Sequence, residues 1–357
     1  VADPVRALLV GCGAISQTWL EALKLIPEVE LVGLVDLNEA QARSRAAEFG
    51  LTHLPTGSDL KTLLQDTAPD AVFDCTVPEA HYDVTLTALA AGCHVLGEKP
   101  ISDDPAKARE MVAAAERSGR VYAVIQNRRF DRNLRRVKGL LRHPDLGRIT
   151  TVHSDFFVGA HFGGFREEMK HVLLKDMAIH TFDAARSLTG EDPVSVYCHE
   201  WNPPGSWYAH GASAVAVFEM TGGVVFTYRG SWSAEGFRTP WESEWRVLGE
   251  RGSVRWDGEA GIAGEVVAET SGLLSTYRAL ELLPEESVKT LEGHAGVIQD
   301  FVRALQTGGT PETICTDNLK SLEMVFGAVE SAETGQRVDI GSNEGKTMSN
   351  EGKGEEC

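Results

Sequence analysis

The pattern Gly11-Cys12-Gly13-Ala14-Ile15-Ser16 follows a short apolar run, residues 7–10, and opens a helical pattern over residues 15–26. A strand that becomes a helix through G-x-G-x-x-S constrains the fold more than any other feature of the chain. Gly11 permits the tight turn, and Gly13 lets a pyrophosphate approach the backbone. The helix start, with Ala14 and Ile15, then presents unpaired N–H groups and the positive end of its dipole to the phosphate. Ser16 stands where Gly or Ala is usual and is still small enough for close helix–strand packing. The second apolar run ends at Asp36, 20 positions beyond Ser16. A carboxylate there accepts hydrogen bonds from an adenosine ribose and repels a 2′-phosphate, which favours NAD over NADP. The plainer alternative is an aspartate that caps a helix at a βα turn.

Apolar runs at residues 7–10, 31–35, 71–73, 94–96 and 121–125 alternate with helical patterns at 15–26, 39–49, 60–65, 80–91 and 105–117. Uninterrupted apolar strands separated by helices mean a parallel sheet covered on both faces. Residues 1–125 of this α/β chain are therefore expected to form a Rossmann-type, doubly wound NAD(P)-binding domain. Beyond residue 148 the rhythm changes. Longer strand-like runs lie at 149–157, 194–199, 213–220, 224–231, 244–248 and 253–256, with turns such as Thr221-Gly222-Gly223 between them. Consecutive strands with tight turns read as antiparallel hairpins. Residues 126–340 are accordingly expected to form an α+β domain with a large, mainly antiparallel sheet, for substrate binding and oligomerisation. Helical patterns at 177–188, 295–307 and 319–333 are expected to cover one face of it. Residues 341–357 have almost nothing to bury and are expected to be disordered.

A chain of 357 residues exceeds what one core usually supports, in keeping with two domains. Its net charge of −18 argues against nucleic-acid backbones and anionic membranes as partners. The one dense basic stretch, Arg128 to Arg142, has helical spacing and reads as a solvated helix face with an arginine or two at a site. No run approaches the roughly 20 apolar residues that span a bilayer. No signal-peptide pattern precedes the first strand, and the six cysteines form no C-x-x-C pair, so a reducing cytoplasm is expected.

With Gly97-Glu98-Lys99-Pro100 and Lys175-Asp176-Met177-Ala178-Ile179-His180 added to the glycine motif, the chain resembles the glucose–fructose oxidoreductase/inositol dehydrogenase/rhizopine catabolism (Gfo/Idh/MocA) family from residue 5 to about 340. Thr76-Val77-Pro78-Glu79-Ala80-His81 is similar to that family's fourth-strand loop beside the nicotinamide. The stretch from Ala91 to Pro100 is similar to its most recognisable signature, and Gln126-Asn127-Arg128-Arg129-Phe130 resembles the segment that opens its second domain. The resemblance implies an NAD-dependent oxidoreductase acting on CH–OH groups. It places Thr76, Pro78, His81, Glu98, Lys99 and Asn127 on the cofactor and makes Lys99, Asp176 and His180 the catalytic set. One departure matters. The family carries a glycine-rich run before the aspartate, whereas this chain has His171-Val172-Leu173-Leu174-Lys175, a bulkier lip that reshapes the substrate pocket.

Read by chemistry, Asp176, His180 and Asp183 fall at i, i+4 and i+7, one face of a helix expected to begin near Asp176. An imidazole can take a hydroxyl proton, and a carboxylate one turn away can fix its tautomer. Lys99 closes the fifth strand, where the ligand crevice of a parallel sheet lies, and its ammonium can stabilise charge on a reacting oxygen. Taken singly, each has a plainer reading: His180 a satisfied structural histidine, Lys99 a surface lysine, Asp176 a helix N-cap. Asp183, a turn further in, reads as structural. Arg128, His161, His171, Lys175, Trp207 and Trp232 are placed by position as substrate contacts, although Trp232, like Trp201, Trp241, Trp245 and Trp256, is also readable as sheet core.

The spacing of His171, Asp176 and His180 matches no zinc pattern, so no metal is expected. The expected reaction is oxidation of a secondary hydroxyl on a small polyhydroxylated substrate: a sugar, sugar acid or cyclitol. An NAD-dependent, redox-neutral glycosidase is the first alternative. A non-catalytic sugar or cofactor sensor is the second, and it has no need of a proton-transfer set. A homodimer or homotetramer is expected to bury the uncovered sheet face.

Overall fold

Six short strands, β1 (Val5–Val10), β2 (Val29–Val35), β3 (Thr56–Gly57), β4 (Ala71–Asp74), β5 (His94–Gly97) and β6 (Tyr122–Val124), form a parallel sheet in the order β3-β2-β1-β4-β5-β6. These strands come from a computed structural model that describes residues 3–282, 284, 288 and 290–341. The tail beyond Gly341, expected to be disordered, lies outside the described residues. Every residue of β4 is buried, as a central strand covered on both faces requires. Helices α1 (Ala14–Leu23), α2 (Glu39–Glu48), α3 (Leu60–Thr67), α4 (Pro78–Ala90) and α5 (Pro105–Ser118) connect the strands. Local chemistry sets their limits. At α5, Asp104 caps the N–H groups of Ala106 and Lys107, Pro105 occupies the first turn, and Gly119 ends the helix at φ 64°. Strand order reverses between β1 and β4, so the crevice of the sheet opens beside the glycine loop.

The second sheet has nine strands among the described residues: β7 (Ile149–Phe157), β8 (Pro193–Trp201), β9 (Ser213–Met220), β10 (Val225–Ser231), β11 (Glu244–Gly249), β12 (Gly252–Trp256), β13 (Ile262–Glu269), β14 (Thr276–Ala279) and β15 (Val338–Asp339). Their order is β14-β13-β12-β11-β7-β10-β9-β8-β15, and every pairing is antiparallel except β7 with β10. The remaining helices are α6 (Arg132–Leu141), the single turn α7 (Phe165–Glu168), α8 (Ile179–Thr189), α9 (Gly293–Thr307) and α10 (Cys315–Thr334). Alternation along β9 and β10 sends Phe218, Phe226 and Tyr228 to one face, where they close around Phe182 of α8. Helix α10 packs against β8 and α8 on the same side.

Two expectations need correction. The pattern over residues 295–307 is expected on the second sheet, but α9 returns to the first. It packs on α1, and Val297, Ile298 and Phe301 share a core with Trp19 and Phe73, the Phe73 and Phe301 rings 6.3 Å apart. An apolar helix face states that it must be covered, not which sheet covers it. The helix expected to start near Asp176 begins earlier, with a π-helical turn, Leu173–Ala178, that runs into α8. His171, at φ 56°, breaks the preceding chain, and Leu173 and Leu174 enter the core at once, so Asp176 lies inside the helix and does not cap it.

Candidate active site

The glycine loop has the geometry its sequence implies. Gly11 sits at φ 87°, and a Cβ there would stand 2.7 Å from the backbone carbonyl of Cys75. Only glycine meets both demands. At Gly13, which precedes α1, nothing lies within 4 Å of the Cβ position, so that backbone is open to a ligand. Ser16 is fully buried, and its hydroxyl donates to the Gly13 carbonyl at 2.7 Å. Asp36 accepts the Cys12 N–H at 2.8 Å and the Asn38 N–H at 2.9 Å, which holds its carboxylate at the loop. Helix α2 grips the same loop: Gln41 donates to the Cys12 carbonyl and Arg45 to the Gly13 carbonyl, each at 3.0 Å. Neither residue carried a sequence signal. An open loop at a helix start with a carboxylate at the second strand's end fits a dinucleotide.

The loops after β4 and β5 are tied together. Asp74 is fully buried, which pushes its pKa up, and it accepts the Thr76 N–H at 3.0 Å. His81, expected on the cofactor, is instead buried between two carbonyls, Pro100 at 2.8 Å and Thr76 at 3.1 Å, and serves as a brace between the loops. Glu98 is likewise turned inward. Its carboxylate accepts from Trp19 Nε1 at 2.7 Å, from His294 Nε2 at 3.2 Å and from the Lys99 N–H at 3.2 Å. Burial pushes the Glu98 pKa up, but the His294 hydrogen bond and the surrounding charges bring it below the ordinary carboxylate value. Nothing in the sequence marks His294, at the start of α9, because its place here depends on the return of α9 to the first sheet. Pro78 opens α4 and Asn127 opens the 3-10 turn Asn127–Phe130, both at the carboxyl edge of the sheet.

Lys99 reaches across to the π-helical turn. Its Nζ donates to the Asp176 carbonyl at 3.1 Å and lies 3.6 Å from the Asp176 carboxylate. The other carboxylate oxygen accepts from Arg166 Nε at 2.8 Å. Asp176 is thus held by two cations and is not hydrogen-bonded to His180, contrary to the orienting role that the i, i+4 spacing suggested. A π-helical turn places i+4 neighbours differently from an α-helix. His180 Nδ1 is buried with no partner among the described residues. Burial, together with the charges of Lys99, Arg128 and His294, holds the His180 pKa well below its ordinary value, so the ring is neutral. Asp183 is structural, as its position indicated: it pairs through both oxygens with Arg129, at 2.7 and 2.6 Å, and accepts from Ser321 at 2.7 Å.

The residues proposed for substrate by position divide. Arg128 lies against the Met177 sulfur at 3.7 Å, beside His180. The Lys175 N–H donates to the His171 carbonyl at 2.9 Å, and its ammonium makes no hydrogen bond or ion pair among the described residues. His171 points away from the site to Glu200 of β8, at 2.6 Å, and Glu333 of α10, at 3.1 Å. Trp232 is sheet core, packed on Phe156 and Phe162. His161 stacks on Trp207 at 3.7 Å and pairs with Glu235. Arg166, which sequence reading missed, lies over the Phe162 and Phe165 rings while touching Asp176. It sits on the single turn α7, too short for a periodicity to mark it.

His171 yields a pH prediction. The hydrogen bond to Glu200, opposed by burial and aided by Glu333, raises its pKa above 6.5. The folded state therefore holds this proton more tightly than the unfolded state. The resulting stabilisation is full below pH 6.5 and is lost as pH rises through the folded pKa. Urea midpoints of His171→Gln should show less decline towards alkaline pH than those of the parent. Parallel pH profiles would refute the assignment.

Residues 5–126 match the oxidoreductase family described as GFO_IDH_MocA, NAD-binding Rossmann fold, and residues 134–255 match the GFO/IDH/MocA C-terminal domain. The chain is 27% identical to D-apiose dehydrogenase of Paraburkholderia graminis, over 95% of this chain and 90% of that one. It is 26% identical to D-glucoside 3-dehydrogenase of Escherichia coli, over 95% and 98%. An Agrobacterium radiobacter oxidoreductase, solved in complex with NAD+, L-tartaric acid and magnesium, shares the fold with a TM-score of 0.80 at 22% identity, covering 94% of this chain and 98% of that one. The open glycine loop, the Asp36 carboxylate and these likenesses agree: the chain belongs to the Gfo/Idh/MocA family and is an NAD-dependent oxidoreductase.

Proposed function

We propose that the chain oxidises a secondary hydroxyl of a sugar, sugar acid or cyclitol, with His180 as the proton acceptor. The observation that carries this reading is a neutral, desolvated imidazole beside the Lys99 ammonium at the carboxyl end of β5. When bound, NAD accepts the hydride from the carbon that bears the hydroxyl. Gly11, Gly13, Ala14, Ile15, Ser16 and Asp36 would hold its adenosine and pyrophosphate, and Thr76, Pro78, Lys99 and Asn127 would face its nicotinamide end. Residues 1–125 and 126–340 act as the cofactor and substrate halves, with α9 lent by the second to the first.

Lys99, fixed by the Asp176 carbonyl, donates to the reacting oxygen and favours its deprotonation. Asp176 acts through Lys99 and Arg166, keeping both cations in place. The neutral His180 ring takes the proton. Tyr197, Trp201 and Val217 lie exposed on the helix-free face of the second sheet, and a homodimer or homotetramer covers them. Among the described residues no helix is long and apolar enough to cross a membrane, and we place the protein in the cytoplasm.

The test is NADH formation from NAD⁺ with aldoses, aldonic and uronic acids, inositols and glycosides. Oxidation of at least one of them is expected. Silence across the panel, with NADH still bound, would overturn hydroxyl oxidation as the net reaction.

A further inference from the structure

Three cations converge on the turn that carries Asp176 and Met177. Lys99 and Arg166 both reach the Asp176 carboxylate, while Arg128 lies against the Met177 sulfur. The first two have a counter-ion. Arg128 has no carboxylate within 4.0 Å among the described residues, and its Nη1 is buried without a partner. Its chain neighbour Arg129 shows what a structural arginine looks like here, bound to Asp183, Asp317 and the Glu312 carbonyl. Glu242 and Asp131 act on Arg128 only from farther away, and Asp131 is engaged as the cap of α6.

Two more unpartnered polar atoms lie in the same neighbourhood. The Tyr228 hydroxyl, fully buried on β10, is electrostatically coupled to Arg128 and has no hydrogen-bond partner among the described residues. His180 Nδ1 is the other, in a ring whose charge state Arg128 also influences. A chain with a net charge of −18 thus collects surplus positive charge and idle hydrogen-bonding groups beside the proposed base. A desolvated guanidinium without a counter-ion is unfavourable, and a neutral hydroxyl would fill a hydrogen-bonding position without answering the charge. A carboxylate answers both, because its two oxygens match the planar fork of the guanidinium. Arg128 contacts the π-helical turn, not the glycine loop, so the anion in question belongs to the substrate and not to the dinucleotide.

Resting on the hydroxyl-oxidation reading above, we infer that the substrate is a hydroxy acid of the sugar series. Its carboxylate pairs with Arg128 while the carbon to be oxidised faces His180 and Lys99. Arg128 is then the residue that selects acids over neutral sugars.

Matched pairs test this: D-gluconate against D-glucitol, D-galactonate against galactitol, and methyl glucuronoside against methyl glucoside, with glucose 6-phosphate as a phosphate control. Binding to the NADH-saturated enzyme is followed by calorimetry, and NAD⁺ turnover is measured alongside. At least one acid should bind about tenfold or more tightly than its neutral partner, as expected for a charge-assisted pair. Arg128→Gln should erase that difference with little effect on neutral ligands or on NADH binding, and Arg128→Lys should retain part of it. Neutral ligands binding as well as the acids, the phosphate binding best, or Arg128→Gln weakening acids and neutrals alike would each overturn the inference. If Arg128→Gln does not fold, the pairs measured on the parent enzyme decide alone. Oxidation of neutral sugars without preference would remove the acid and leave hydroxyl oxidation standing. Arg128-dependent acid binding with no oxidation of any compound would do the reverse.

Discussion

Replacing His180 with alanine is expected to lower kcat by about 100- to 10,000-fold, the range for loss of a positioned general base, while leaving NADH affinity close to that of the parent. The separation follows from the architecture. His180 stands on α8 beneath the second sheet, whereas the glycine loop and Asp36 belong to the first. The ring's charge state adds a pH signature. Because burial and the neighbouring charges hold its pKa well below 6.5, the base remains unprotonated through the neutral range. The acid limb of kcat/KM should therefore fall well below pH 6.5 and should be absent from the residual activity of the alanine variant. Turnover that survives the substitution would remove His180 as the base. A parallel loss of NADH binding would show that the substitution had disturbed the fold.

The largest stability effect is expected at Asp183→Ala. Arg129 and Asp183 have side chains 6% and 1% exposed and meet through two hydrogen bonds. Removing one partner of such a buried pair typically costs about 3–5 kcal/mol, because the guanidinium stays desolvated without its counter-charge. Asp317, 2.7 Å from the same guanidinium, compensates in part and draws the expected value towards the lower end. The pair joins the turn after β6 to α8, and Ser321 brings in α10, so the loss falls where three elements meet. Chemical denaturation should show a lower urea midpoint with an unchanged slope. A loss below about 1 kcal/mol, the value of an exposed pair, would show that this link is not the joint described here. Asp183→Asn, which keeps an acceptor but not the charge, should fall between the two proteins.

The first sheet was legible almost strand by strand, because uninterrupted apolar runs and capped helices repeat at short range. The two-residue strand β3 escaped, being too short to make a run. In the second sheet β7 and β9 coincide with their runs, but β13 and β14 were not read, since their exposed residues interrupt the alternation. The glycine loop could be argued at Gly11 and Gly13 from local sterics alone, and the structure agrees. Contacts that depend on distant segments were not legible. Glu98 meets His294 from 196 positions away, and His81 meets the carbonyl of Pro100, inward contacts that the family resemblance, which implies a place on the cofactor for both, does not carry. The i, i+4 argument for Asp176 and His180 assumed an α-helix and lost its basis at the π-helical turn. Arg166 and Arg45 show the same limit. Each is an arginine whose partner is set by tertiary folding.

The return of α9 to the first sheet has a consequence for synthesis. Trp19, Phe73 and the glycine loop emerge early from the ribosome, yet Val297, Ile298 and Phe301, which complete the same core, follow only after most of the second sheet. At translation rates of about 5–20 residues per second, that interval is roughly ten to forty-five seconds. During it the nucleotide half has its strands but not its cover, and an apolar flank lies open in the crowded cell. The nascent chain at that stage is a natural client for a chaperone, and the cofactor site matures only when the last long segments arrive.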